Sequence, residues 1–414
     1  MEIASILRTL SANRNLAVFL IAIVLLEIVH GIEAMALFPL YLTEVLNSSV
    51  TLVGAVISTY LIVDVVTRTP AGWLADRWGR KPILLFGILL SIAPLALMMG
   101  VQSPRTFLLL SGLNGLGAGC IWPAIYAGVA DTYQRSQRGL IMGLLSTVML
   151  GGLAMGPITG NLLLGLTSYR ATFLICIALV FLVFVIVLSL ATETKMLRQD
   201  GAAGSTEYSL RSVTGELVLL GVIALLLTVS LAFLLPIISL YGAQVLLVDK
   251  VTMGIVLAIP GGITALALLP AGHLADRVSR KLPMVAGLAL LTVCFGGAPL
   301  TTNLVVVTTG ATVAGLGYAL AVPAWNALAM DRIPERTRGL LLGAVATVQG
   351  VGLAIGPVVG GYLWEQVHHY APFLAGALLL LVATGLSLRI EAHLHSADNL
   401  STISAIPQGG NKNE

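Results

Sequence analysis

Five ionisable side chains, Glu27, His30, Glu33, Asp64 and Arg68, interrupt the first two of a long series of apolar runs. Glu27 and His30 are three residues apart and Asp64 and Arg68 four apart, so on helices each pair shares a face. Two such faces can meet in one pocket. Desolvation opposes charge on a buried carboxylate, whereas a neighbouring guanidinium or imidazolium favours it. Carboxyls under such opposed influences can bind and release protons according to which side of a membrane they see. Glu27 and Asp64 are therefore expected as proton or headgroup sites, with Arg68 as their partner or as an anion hook. Glu33 is expected near the outer mouth, where a carboxylate stays hydrated. The opposing reading is a self-satisfied ion-pair cluster that only fixes helix packing.

The elements that must hold these groups follow from composition. At 57% apolar and 10% charged residues, the 414-residue chain has more apolar surface than a soluble core can bury. It reads as an all-α membrane protein. About 20 apolar residues cross a bilayer, and the runs fall at 16–43, 50–72, 83–101, 106–128, 139–166, 171–191, 214–243, 251–272, 283–300, 304–327, 339–363 and 371–389. These are twelve transmembrane helices in two six-helix bundles, with the long first and seventh open to bending. The bundles are 1–191 and 214–389, joined by a polar, Gly/Ser-containing link at 192–213 and followed by a tail at 390–414. Of 22 Lys and Arg, only Arg105, Arg170 and Lys250 lie in the odd-to-even connections and Arg68 within a span. That asymmetry puts both termini in the cytoplasm, and the expected location is the plasma (inner) membrane.

The chain is also a duplication. Gly72-Trp-Leu-Ala-Asp76-Arg77-Trp-Gly-Arg80-Lys81 returns as Gly272-His-Leu-Ala-Asp276-Arg277-Val-Ser-Arg280-Lys281. Likewise Asp131 returns as Asp331, and Gly152-Leu-Ala-Met-Gly156-Pro157 as Gly352-Leu-Ala-Ile-Gly356-Pro357. Shared positions build the scaffold, so the breaks point to the site. Glu27, His30 and Glu33 correspond to Leu227, Ser230 and Phe233, and Asp64 and Arg68 to Thr264 and Leu268. A charge at the bilayer centre costs at least about 2.5–3.5 kcal/mol on insertion scales, so an unused one should be replaced readily. The cavity is expected to be polarised, charged in the first half and apolar in the second.

On these motifs the chain resembles the major facilitator superfamily of transporters, whose loop motif between the second and third helices matches the Gly72-to-Lys81 stretch. The resemblance implies a cytoplasmic gate in which Gly72, Asp76, Arg77, Arg80, Lys81, Asp131, Asp276, Arg277 and Arg280 take part. By carry-over, Asp76 faces the helix starting near Gly339, Asp276 faces the one starting near Gly139, and Arg80 lies near Asp131. The Gly152, Gly156, Pro157 series resembles the fifth-helix motif of proton-coupled drug exporters, with Asn161 in place of a glycine. Small residues at this spacing let helices approach closely, and the repeat carries it again at Gly352, Gly356 and Pro357. Those exporters carry an Arg in the fourth helix where this chain has Ser111. The run Glu27 to Gly31, Asp64, Val322-Pro-Ala-Trp325-Asn326 and Gln349 resembles the glycolipid flippase of the lipoteichoic-acid pathway, with His30 where the flippase has Arg. That likeness implies headgroup contacts in the first half and acyl chains in the second.

Trp122 and Trp325 are expected to line the cavity or to anchor helix ends, and Gln349 to contact substrate or bond across helices. Cys120, Cys176 and Cys294 lie apart in apolar runs without ligand spacing, so neither a metal nor a redox role is expected, and no cofactor. No phosphate loop or nucleophile constellation suggests an enzyme, and the placement of cations argues against nucleic acid. The function expected is secondary, proton-coupled export or flipping of a hydrophobic or amphiphilic molecule by a monomer in the bilayer. The alternatives are a receptor or scaffold without turnover, and proton-linked uptake of a polar solute.

Overall fold

A computed structural model of the chain describes residues 14–132, 135–193, 215–277, 279–333 and 338–390, and among these all regular structure is helical. Twelve helices are long and apolar enough to cross a membrane, which makes this a multi-pass membrane protein. They are α1 (Arg14–Glu44), α2 (Val50–Trp78), α3 (Arg80–Met98), α4 (Pro104–Thr132), α5 (Arg135–Leu166) and α6 (Tyr169–Leu190) in the first half of the chain. The second half has α7 (Gly215–Ala232, continued by Ile238–Gln244), α8 (Lys250–Arg277), α9 (Lys281–Gly297), α10 (Leu304–Arg332), α11 (Arg338–Gln366) and α12 (Ala371–Leu388). The gate-motif segments are helical through Trp78 and Arg277, several residues past the apolar spans. Hydropathy stops at the membrane boundary, whereas backbone hydrogen bonding continues until a turn residue such as Gly79 breaks it. The expected link and tail fall almost wholly on 194–214 and 391–414, outside the described residues.

Both long helices depart from regular α-helix, and at repeat-related places. Glu33–Leu37 forms a π-helical turn within α1, and 233–237, which contains Pro236, is a turn between the two parts of α7. Proline removes one ladder donor and clashes with the preceding turn. The repeat persists in detail elsewhere. Lys81 Nζ donates to the Leu188 carbonyl and Lys281 Nζ to that of Leu388, each at 2.8 Å. Arg80 pairs with Asp131, and Arg280 with Asp331.

Within the first half, α1 packs along α5, and α4 lies against α2 and α3; within the second, α10 lies against α8 and α9, and α12 against α7 and α9. The α1 and α5 backbones meet at Gly31 and Gly156, where a β-carbon on Gly31 would come within 2.8 Å of the Gly156 Cα. The halves are joined chiefly by α2 against α11 and α5 against α8. These joints are tightest at the end carrying the α1–α2 and α7–α8 connections. There Thr51 donates its backbone N–H at 3.0 Å and its hydroxyl at 2.6 Å to one Glu365 carboxylate oxygen. Lys250 Nζ donates to Glu44 and to the Tyr169 hydroxyl, both at 2.8 Å. Toward the opposite end, which carries the gate-motif loops, Gly343 has nothing within 4 Å. Among the described residues, the polar contacts that join the halves thus gather at one end, called the closed end.

Candidate transport site

α1 carries Glu27, His30 and Glu33 into a small cavity of about 40 Å³ inside the first half, where Tyr60 of α2, Asn114 of α4 and Trp122 join them. Glu27, Glu33 and Asp64 are all buried. Asp64 takes a bidentate grip from Arg68, Nε to Oδ1 at 3.1 Å and Nη2 to Oδ2 at 2.7 Å, the i,i+4 geometry their spacing allows. The Arg68 side chain is 45% exposed. Charged oxygens in apolar surroundings need such a partner. Asp64 and Arg68 lie close enough to Glu27 for their charges to act on it. The His30 and Tyr60 rings are in contact, with centroids 4.7 Å apart.

Glu33 departs from expectation. Instead of sitting hydrated at a mouth it is 4% exposed and accepts a hydrogen bond from Asn114 Nδ2 at 3.0 Å. Glu33 opens the π-helical turn of α1, a change of pitch that spacing along the chain does not reveal. Tyr60 and Asn114 were also missed. Their repeat partners are Pro260 and Ala314, so the same comparison that singled out the charges finds them once neutral polar residues are included.

The second half holds a cavity of about 500 Å³ with an almost wholly apolar lining from α7 to α10, joined by Phe373 of α12. Thr264, Thr301, Tyr241 and Tyr318 are its few hydroxyls. Polarity is thus divided between halves, with carboxyls in one and hydrocarbon in the other. The two cavities suit different chemistry, because a polar group needs hydrogen-bonding partners and an apolar chain needs their absence.

Of the two tryptophans, Trp122 lines the first cavity and stacks on Tyr126, with centroids 5.7 Å apart. Trp325 lines neither cavity described; it is buried and its Nε1 donates to the Leu220 carbonyl of α7 at 3.0 Å. A buried indole N–H takes the nearest free acceptor, so Trp325 tethers α10 to α7. Asn326 is exposed, and Gln349 is half-buried beside Gly350, which faces Val65 of α2.

The helix starts that Asp76 and Asp276 are expected to face, near Gly339 and Gly139, carry side chains outside those described. Asp76 is 68% exposed and paired with Arg80 of its own half. Arg80 Nε also donates to Asp131 at 3.0 Å. Arg280 donates to the Ala327 carbonyl at 3.2 Å, whereas the side chains of Asp276 and Arg277 lie outside those described. Asn161, the departure from the fifth-helix motif, is buried and donates to the Pro157 carbonyl at 2.8 Å and to Ser239 Oγ at 2.9 Å. Ser111, where the exporters carry Arg, is buried and donates to the Val56 carbonyl at 2.7 Å. Among the described residues no group of three or more His, Cys, Asp or Glu could hold a metal ion.

The family model for the Major Facilitator Superfamily matches residues 18–247 and 220–402. The proton-coupled antiporter flippase LtaA of Staphylococcus haemolyticus is 28% identical over 357 residues, covering 85% of this chain and 87% of that one. LtaA of Staphylococcus aureus (strain MSSA476) is 25% identical over 393 residues, 91% of this chain and 95% of its own. Among solved structures, the nucleoside transporter NupG superimposes with a TM-score of 0.73 at 16% identity, covering 90% of this chain and 98% of its own. A bacterial homolog of the human lysosomal transporter Spinster, inward-facing and occupied, does so with 0.76 at 14%, covering 91% and 97%.

Proposed function

Because the chain belongs to the Major Facilitator Superfamily, whose members are secondary transporters, we propose that it is a proton-coupled antiporter that flips or exports an amphiphile across the plasma membrane. The observation that carries this reading is the division of polarity, a carboxyl-lined cavity in the first half and an apolar cavity of about 500 Å³ in the second. Its relatives named proton-coupled antiporter flippase LtaA support the same class of substrate.

In this reading the basic connections and both termini are cytoplasmic, so the conformation described faces inward. The ligand's polar group enters beside Glu27, His30 and the Asp64–Arg68 pair, and its apolar part rests against the second half. Each half moves as a body about the site. Re-opening outward separates Thr51 from Glu365 and Lys250 from Glu44, while Asp76 and Asp276 reach the helix starts of the opposite half. Protons enter the scheme through the cost of charge. A carboxylate cut off from water and counter-ion is expensive to hold, so the empty carrier closes over its site readily only when Glu27 and Asp64 are neutralised, by protons or by Arg68. Protons and amphiphile thereby exchange places. The carrier acts as a monomer.

The test is flux in sealed proteoliposomes under an imposed pH gradient, with a fluorescent glycolipid and a lipophilic cationic dye as probes, for the wild type and Asp64→Asn. Gradient-driven glycolipid movement that Asp64→Asn abolishes is the expected result. Dye movement alone would make the protein a drug-type exporter, and movement of neither probe would overturn the reading.

A further inference from the structure

We propose that Glu33 is a second proton-carrying carboxyl, distinct from the Glu27 and Asp64 pair and loaded from the closed end of the molecule. The inference rests on the coupled transport proposed above and adds the route by which the proton enters. Glu33 lies six residues beyond Glu27 toward the closed end, about 9 Å along the helix. It lines the same cavity yet is 4% exposed. Asp64 has its guanidinium, whereas Glu33 makes no ion pair among the described residues and accepts from the neutral amide of Asn114. A proton is the smallest ligand that removes charge from such a site.

The surrounding backbone links this carboxyl to the closing of that end. Glu33 opens the π-helical turn Glu33–Leu37, and turns of this kind are frequent at functional sites. Within the turn, the Met35 carbonyl accepts from the hydroxyl of Ser239, which belongs to the second half and itself accepts from Asn161. Opening the closed end requires Ser239 to leave Met35, which frees the turn that bears Glu33 and admits water to it from that side. The equivalent turn of the second half, 233–237, begins with Phe233, so the turn itself does not require a carboxyl. The titratable groups around Glu33 are His30 and Glu27 of its own helix, Tyr60 of α2 and Cys176 of α6, with Asp64 and Arg68 further along α2. α4 contributes the neutral Asn114, while α5 and the continuation of α7 contribute the neutral Asn161 and Ser239. In the cycle, Glu33 takes up a proton from closed-side water when that end opens and carries it, buried, in the conformation described here.

Two measurements test this on the full chain in proteoliposomes with the same two probes. In the wild type the gradient-driven rate rises as the closed-side medium is acidified. Glu33→Gln is expected to lose at least tenfold of that rate and all dependence on closed-side pH, and infrared difference spectra should lose a protonated-carboxyl band. Wild-type closed-side pH dependence in Glu33→Gln would overturn the proposal. Should Glu33→Gln not fold, Asn114→Leu retains the carboxyl but removes its donor, and must shift the carboxyl band; an unmoved band overturns the proposal. If the wild type moves neither probe, the transport reading fails by itself, and the infrared titration decides on Glu33 separately.

Discussion

Replacing Gly54 by alanine should push the molecule out of the conformation described here. Gly54 lies on α2 at the closed end, against the backbone of α11. A β-carbon there would lie 2.7 Å from the Pro357 carbonyl carbon and 2.8 Å from the Val358 Cα, nearer still to the Pro357 oxygen, where ordinary contact begins at 3.4 Å. The two helices must separate by more than the roughly 0.7 Å that the carbonyl carbon alone demands, and a backbone cannot rotate away as a side chain can. Overpacking of this kind costs about 1–3 kcal/mol. The clash exists only while the closed end is closed, so the whole penalty falls on one of two conformations. That corresponds to a shift of about 5- to 150-fold in their ratio. Spin labels at Val45→Cys and Gln244→Cys, exposed positions on opposite halves at this end, report the separation as a distance distribution. The expected result is a new, longer population in Gly54→Ala. Gly151→Ala, whose β-carbon meets nothing within 4 Å, is the control and should leave the distribution unchanged. A Gly54→Ala protein with the wild-type distribution and wild-type thermal stability would refute the argument, because the contact would then carry neither conformational nor folding energy.

Three further outcomes follow from the same geometry. Lys250→Ala removes a partly exposed pair with Glu44; it should favour opening by no more than about 1 kcal/mol, and high salt should reproduce the change in the wild type but add nothing in the variant. Asp76→Asn leaves Arg80 with Asp131, so spin-label distances in this conformation should hold while the population parted at the gate-motif end grows; an unchanged population would mean that Asp76 has no gating part. Asp249 accepts from the Thr252 N–H at 3.0 Å and its hydroxyl at 2.6 Å at the start of α8, and these bonds hold its carboxyl below the usual range. A lowered folded-state pKa means the contribution is complete above about pH 4 and is lost as pH falls through the folded value. Asp249→Ala should therefore lower the thermal midpoint at pH 7, with the gap from wild type closing in acid; a gap independent of pH would assign the effect to something other than this cap.

Much of the architecture could be read from residues alone. Long apolar runs, a charge asymmetry between connections and a repeat running from Gly72 to Pro357 are properties of the chain taken a stretch at a time. Glu27 and Asp64 stood out because an ionisable group in an apolar helix is conspicuous wherever the helix finally packs. Asn114 did not, since a neutral amide scarcely disturbs hydropathy and its value comes from the Glu33 carboxylate 3.0 Å away on another helix. Trp325 shows the converse. Its place in a recognisable run suggested a cavity, but rotation of α10 sends the indole N–H to Leu220.

The sequence by itself therefore determined the membrane setting, the twelve helices in two echoing sixes, and which half carries the buried charges. Tertiary structure decided that Glu33 faces inward beside Asn114, that Asp76 rests on its own half, and that Gly54 and Pro357 seal one end. The physical reason is that transfer of a helix into a bilayer sums over its own residues. A contact between halves depends instead on helix rotation and on which of two conformations, differing by a few kcal/mol, the same residues occupy.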